Sequence, residues 1–320
     1  LWLNPGDEVS LAGAGEADIG LGNPMYPRHL LWARVGEEGA IFQLPSNTYT
    51  FTARERGELY VTASPPALVW ANQQGDRVAA WEQFPDIPLE LAVTAFRWRD
   101  SAREGLELMA EDDGNRDFAQ AALAAIDEAP ALPTGFEYLW FLNSSNVFEA
   151  FDDEQRRGVH ASTDDDVGII RRPLDIPLTA ETRIDFDWLY ENLPALGPET
   201  DAATHDYLSI ALEFDNGHDV TWFWSAHLPE GEMFPCPLPD WQHRETHIVL
   251  QSGEEGLGEW HSHSRSVQED YQASVGGEMP TRIVGVWVIA NALFGRQPAE
   301  AFFANARVTD GERSEPLFVE

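Results

Sequence analysis

Residues 205–227 read HDYLSIALEFDNGHDVTWFWSAH. Two β-rich runs flank Asn216-Gly217, the dipeptide most strongly tied to a tight hairpin reversal. Taken as a two-residue loop, it sets Asp215 opposite His218 and fixes every further pair along the ladder. On that register Leu208, Ile210, Leu212, Phe214 and Phe223 share the core face. Tyr207, Ser209, Ala211, Glu213, Trp222 and Trp224 share the other, with Trp222 opposite Ala211 and Trp224 opposite Ser209. Two large rings facing two small side chains would leave a shallow, solvent-facing shelf. Side chains alternate with a period of two, so a slip of one residue would reverse the whole assignment.

Strand patterns continue on both sides of this hairpin. IVGVWVIANALF (283–294) is too short to span a bilayer, is interrupted by Gly285 and Asn291, and reads as a buried strand. The first hundred residues carry the short apolar runs LLWARV, AIFQL, YTFTA, ELYVTA and ELAVTAF, separated by Gly, Pro and Asn, as in a sandwich or jelly roll. Residues 101–129 differ: they are alanine- and charge-rich with helical spacing, and Pro130 and Pro133 end them. The expected architecture is all-β, with two jelly-roll-like β-sandwich domains (1–99 and 134–320) joined by a helical linker (100–133). A chain of 320 residues exceeds the size at which single cores usually stop growing, roughly 250–300 residues.

Charge narrows the partners. There are 55 acidic against 20 basic residues, all of the latter arginine, for a net charge of −35. Such a chain repels phosphate backbones and anionic lipid, which argues against nucleic-acid and membrane partners. A salt-adapted surface would account for the acid excess. Cys236 is the only cysteine, so no intramolecular disulfide forms. The start at Leu1, without an apolar leader, fits a removed signal peptide or a shortened chain. Cytoplasmic and periplasmic or secreted bacterial locations both stay open, as does the oligomeric state.

The segment WQHRETHIVLQ (241–251) places His243, Glu245 and His247 at alternate positions. On a strand rising about 3.3 Å per residue the two histidines lie about 13 Å apart, so all three cannot share one ion. Glu245 and His247 form the better pair, because Ile248 and Leu250 fix the opposite parity as the core face. The pair reads as polar residues on an exposed strand, as half of a metal site, or as an acid–base pair. Seven of the nine histidines fall between 205 and 263, which enriches the region in partners. No complete ligand set is legible, so no cofactor is assigned, although a divalent cation would be compatible with the half-site. Glu213, Glu245, His247 and Tyr207 are the candidates for proton transfer; Trp222, Trp224 and Ser209 are the candidates for holding a substrate on the shelf. The acidic runs FDDEQ (151–155) and STDDDVG (162–168) read as solvated loops, and Cys236, in FPCPLP with no basic neighbour, reads as an unreactive thiol.

Two resemblances add to this. LLWARVGEEGAIFQLPSNTYTFTARERGELYVTA (30–63) resembles the PA-IL-type lectin-like domain over about residues 5–97, which implies a small β-sandwich of galactose-binding ancestry. The Asn-Asp pair that follows the last of these strands in calcium-binding members is replaced here by Ala63, Ser64, Pro65 and Pro66. The stretches DDDVGIIRRPLDIPL, TRIDFDWLYENLP, YLSIALEFDNG, ETHIVLQSG, GEWHSHSRSVQEDY and IVGVWVIANA resemble an uncharacterised bacterial family, implying a jelly-roll or concanavalin-like sandwich. Together these readings point to a carbohydrate-recognising protein that acts on a poly- or oligosaccharide as hydrolase or lyase, with the site in the C-terminal sandwich. The alternatives are a non-catalytic glycan-binding module and an enzyme with a small apolar substrate in the sandwich cavity.

Overall fold

The computed structural model describes residues 1–18, 23–64, 70–78, 90–127, 130–142, 146–239 and 241–319. The chain is mostly β and divides into two compact units, Leu1–Ala129 with Trp140–Ser145, and Pro130–Leu139 with Asn146–Glu320. No helix among the described residues is long and apolar enough to cross a membrane.

In the first unit, the strands Trp2–Leu3, Gly57–Ala63, Leu31–Val35 and Phe42–Gln43 form one sheet, and Thr48–Thr52, Glu8–Ala14 and Ala92–Arg97 form another. Leu3, Val9, Leu11, Leu31, Ala33, Val35 and Leu44 fill the core of this unit. The helices Ala102–Met109 and Arg116–Asp127 do not act as a linker. They bury Leu106, Ala119 and Ala122 against Trp98 and Phe118, and Phe118 stacks on Phe96 of the three-stranded sheet at 5.0 Å. The Trp98 indole donates to Ser10 Oγ and the Ala102 amide to Glu8, both on the central strand of that sheet. The apolar stripe of these helices needed a surface to bury against, and the adjoining sheet provides it.

The second unit is a sandwich. One sheet runs in the order Glu137–Tyr138, Val167–Pro177, Arg282–Asn291, Tyr207–Phe214, Asp219–Ser225, Glu245–Ser252, Met233–Pro235. The other runs Phe148–Asp152, Arg157–Thr163, Ala299–Thr309, Arg183–Asn192, His261–Ser266, with Ser314–Pro316 added on Ala299–Thr309. Inward side chains of both sheets, including Phe148, Val159, Trp188, Tyr190, Ile210, Val220, Trp222, Val288 and Phe303, form one continuous core. All the pairings are antiparallel except that of Asp219–Ser225 with Glu245–Ser252. Parallel neighbours cannot be joined by a tight turn, so residues 226–244 form a long crossover connection between them. That crossover carries Met233–Pro235, which joins the same sheet as its edge strand, antiparallel to Glu245–Ser252, with Phe234 directly opposite His247.

The central hairpin closes differently from the two-residue reading. Phe214 N–H donates to His218 O at 2.9 Å and Gly217 N–H to Phe214 O at 3.0 Å, with Gly217 at φ +84°. The loop therefore comprises Asp215, Asn216 and Gly217, a turn that ends on a left-handed glycine. Ser209 pairs with Phe223, Ile210 with Trp222 and Leu212 with Val220, one residue away from the expected ladder. Trp222 and Trp224 consequently point inward beside Leu208 and Ile210, and Phe223 points outward.

Candidate functional site

The expected shelf of indoles does not exist. Trp222 is 0% and Trp224 1% exposed, and both belong to the core. Their polar edges are satisfied internally: Trp222 Nε1 donates to Asp270 Oδ2 at 2.8 Å and Trp224 Nε1 to Gly253 O at 2.8 Å. Neither ring is available to hold a substrate.

The other candidates stay on the outward face of the seven-stranded sheet, and three of them meet. Tyr207 Oη donates to Glu245 Oε1 at 2.9 Å, and His247 Nε2 lies 3.6 Å from the same oxygen, too far for a hydrogen bond. The Glu245–His247 parity is as the sequence implied, with Ile248 turned into the core. The crossover, however, packs Phe234 and Cys236 against the group. Phe234 lies nearly parallel on the His247 imidazole at 4.9 Å, and Tyr207, Ser209, Glu245 and His247 are only 5, 0, 3 and 0% exposed. The face expected to be open to solvent is sealed, and no substrate reaches these groups in this conformation. Glu213 stands apart as a structural carboxylate. It accepts from Arg171 Nε at 2.7 Å and Trp287 Nε1 at 3.1 Å.

Burial dominates the electrostatics of this cluster. It raises the Tyr207 phenol well above its ordinary value, helped by the Glu245 charge, and pushes the Glu245 and Asp219 carboxyls upward. It holds His247 far below, and His205 at about 4, so both imidazoles are neutral near pH 7. Both ring nitrogens of His247, Ser209 Oγ and Asp219 Oδ2 are buried without a hydrogen-bond partner. A buried polar group left unpaired costs about 1–3 kcal/mol, so this concentration of them is expensive.

Two residues join the cluster that sequence reasoning missed. His205 Nε2 lies 3.4 Å from Cys236 Sγ, and His205, Cys236 and His247 all offer ligand atoms within 4.8 Å of one another. His205 precedes the strand Tyr207–Phe214, and Cys236 follows the edge strand of the crossover. The crowding of histidines between 205 and 263 hinted at such a group, but no spacing motif links residues brought together by a crossover.

A second, open surface lies on the outward face of the other sheet of the second unit. Phe302, Phe151 and Trp260 are half-buried, with ring centroids 5.5 Å (Phe151–Phe302), 6.3 Å (Phe151–Trp260) and 6.3 Å (Trp260–Phe302) apart. His160 stacks on Phe302 at 4.3 Å and is bonded to Glu300 at 3.0 Å. The Arg156 guanidinium lies over the Trp260 ring at 4.4 Å, and Asn305 holds Asp187 at 2.8 Å nearby. In the first unit, a cleft of about 620 Å³ is lined by Phe42, Tyr49, Phe51, Arg54, Glu55 and Gln73, among others.

A family model described as "Protein of unknown function (DUF3047)" matches residues 136–307. No curated protein matches the chain. Among solved structures, it is similar to the xyloglucanase domain of NopAA, a type three effector from Sinorhizobium fredii, at 11% identity over 55% of this chain and 93% of that one, with a TM-score of 0.34. It is also similar to the family 11 xylanase from Neocallimastix patriciarum (12% identity, 56% and 93% covered, TM-score 0.31). A third likeness is to the family 11 carbohydrate-binding module of cellulosomal cellulase Lic26A-Cel5E of Clostridium thermocellum (11% identity, 54% and 82% covered, TM-score 0.27).

Proposed function

The chain belongs to the DUF3047 family of proteins of unknown function, and from that premise we propose that its second unit recognises carbohydrate without transforming it. The observation that carries this reading is the ring cluster Phe151, Trp260 and Phe302 on an outward sheet face, bordered by Arg156, His160, Asp187 and Glu300. Sugars present apolar C–H faces and a ring of hydroxyls. Half-exposed aromatic rings beside fixed donors and acceptors complement both. The non-catalytic form of the reading is favoured because Tyr207, Glu245 and His247 are buried. The net charge of −35 favours neutral over uronate-rich glycans.

The test is affinity electrophoresis and calorimetry against a panel of neutral polysaccharides, with a reducing-sugar assay on the same mixtures. Trp260→Ala should weaken binding at least tenfold, equivalent to about 1.4 kcal/mol, with the far-UV spectrum unchanged and no sugar released by either protein. Failure to bind any glycan, or release of reducing ends, would refute it. A second reading is favoured by the aromatic cleft of the first unit, and the resemblance of residues 30–63 to the lectin-like domain, which none of the matches above shows, would point the same way. On that reading Phe42→Ala abolishes binding while Trp260→Ala leaves it intact.

A further inference from the structure

We infer that His205, Cys236 and His247, with Glu245 as fourth donor, hold a zinc-type divalent cation that ties the 226–244 crossover to the sheet it borders. Four features of the cluster support this, and none depends on the glycan surface.

Spacing comes first. Ligands bound at about 2.1 Å (nitrogen) and 2.3 Å (sulfur) in a tetrahedron lie roughly 3.6 Å from each other. His205 Nε2 and Cys236 Sγ are 3.4 Å apart, and Glu245 Oε1 is 3.6 Å from His247 Nε2. The three N and S donors all fall within 4.8 Å of each other, and Glu245, which lies outside that group, adjoins it through His247 and closes the shell by moving its carboxylate toward the other two donors. Tautomer comes second. His205 Nδ1 lies 2.6 Å from the Glu199 carbonyl, which can only accept, so the proton sits on Nδ1 and the Nε2 lone pair faces the thiol. This is how second-shell carbonyls prepare a histidine for a metal.

Third, the donors are otherwise unaccounted for. A thiol proton shared between Cys236 and His205 would satisfy those two side chains but leaves both nitrogens of His247, a fully buried ring, with no partner. Fourth, the chemistry is matched: two imidazoles, a thiolate and a carboxylate suit a borderline-soft ion, and the two negative ligands balance its charge once the thiol has released its proton. The four ligands come from the segment before Tyr207–Phe214, from the crossover and from the strand Glu245–Ser252, and all are at most 3% exposed. An enclosed four-coordinate site with no open position is a structural one.

The full chain is refolded with zinc, or with cobalt as a spectroscopic probe, and passed over a chelating resin to strip ions from the acidic surface. We expect one zinc retained per chain and, with cobalt, a thiolate-to-metal charge-transfer band. Both should vanish in Cys236→Ser and persist in His243→Ala, which alters an exposed histidine of the same segment. A folded wild-type chain without bound zinc, zinc that survives Cys236→Ser, or a cobalt form lacking the thiolate band would each overturn the assignment. The band in the wild type decides the matter even if Cys236→Ser does not fold.

Discussion

Trp222→Ala separates the two hairpin registers by magnitude. In the structure the indole is fully buried between the sheets, near Phe186, and donates to Asp270, which also receives Arg265 Nε and Nη2 at 2.9 and 2.5 Å. Truncating a core tryptophan to alanine costs about 3–5 kcal/mol. The lost hydrogen bond adds about 1 kcal/mol and no more, because Arg265 keeps the Asp270 carboxylate paired. Against a typical domain stability of about 5–15 kcal/mol, a loss of about 4–6 kcal/mol leaves the second unit close to unfolding at room temperature. Trp222→Phe keeps most of the volume and should cost about 1–2 kcal/mol, giving a graded series. The assay is urea denaturation followed by far-UV circular dichroism at one fixed salt concentration. Were Trp222 on a solvent-facing shelf, its removal would stay within about 0.5 kcal/mol, as for ordinary surface changes. A measured cost below about 1 kcal/mol would therefore refute the observed pairing of Ile210 with Trp222.

Two further outcomes follow from the charge distribution. His263 is held at about 4 by burial among Trp188 and Phe186, with His261 and Arg265 adding repulsion. The unfolded chain accepts a proton near pH 6.5 that the native state refuses, so stability is full above that pH and declines as pH falls toward 4. The group is half-buried, so after discounting for solvent the loss is about 1–2 kcal/mol. His263→Gln should flatten the wild-type stability curve by that amount between pH 7 and 4.5, and parallel curves would show that His263 does not titrate as described. Self-repulsion from a net charge of −35 should be relieved by screening, so the melting temperature should rise from low to molar sodium chloride. A falling melting temperature over that range would exclude a salt-adapted surface.

The parts of the fold legible in sequence are those set by local periodicity. The hairpin's existence, the buried strand at 283–291 and the outward pairing of Glu245 with His247 all follow from alternation and turn chemistry. The register went astray because Asn-Gly serves a two-residue and a three-residue loop equally well. The strand itself held the better signal: in DVTWFWS, Val220, Trp222 and Trp224 alternate with Asp219, Thr221 and Ser225, broken only by Phe223, and apolar alternation outweighs turn type when one face must be buried. The helices at 102–127 were legible as helices, but their burial against Phe96 and Trp98 was not, since an amphipathic stripe does not name its partner.

What converted a predicted open site into a sealed one is a single topological choice. Had Glu245–Ser252 run antiparallel to Asp219–Ser225, a short turn could have joined them and left Tyr207, Glu245 and His247 facing water. The parallel pairing requires the crossover, and the crossover brings Phe234 beside His247 and Cys236 against His205. An aromatic ring and a thiol packed against neutral imidazoles are poorly placed for proton transfer to a polar substrate and well placed to enclose an ion. The same residues that made an acid–base reading attractive along the strand therefore support a structural role once the third dimension is added, and the proposed glycan surface is sought on the opposite sheet.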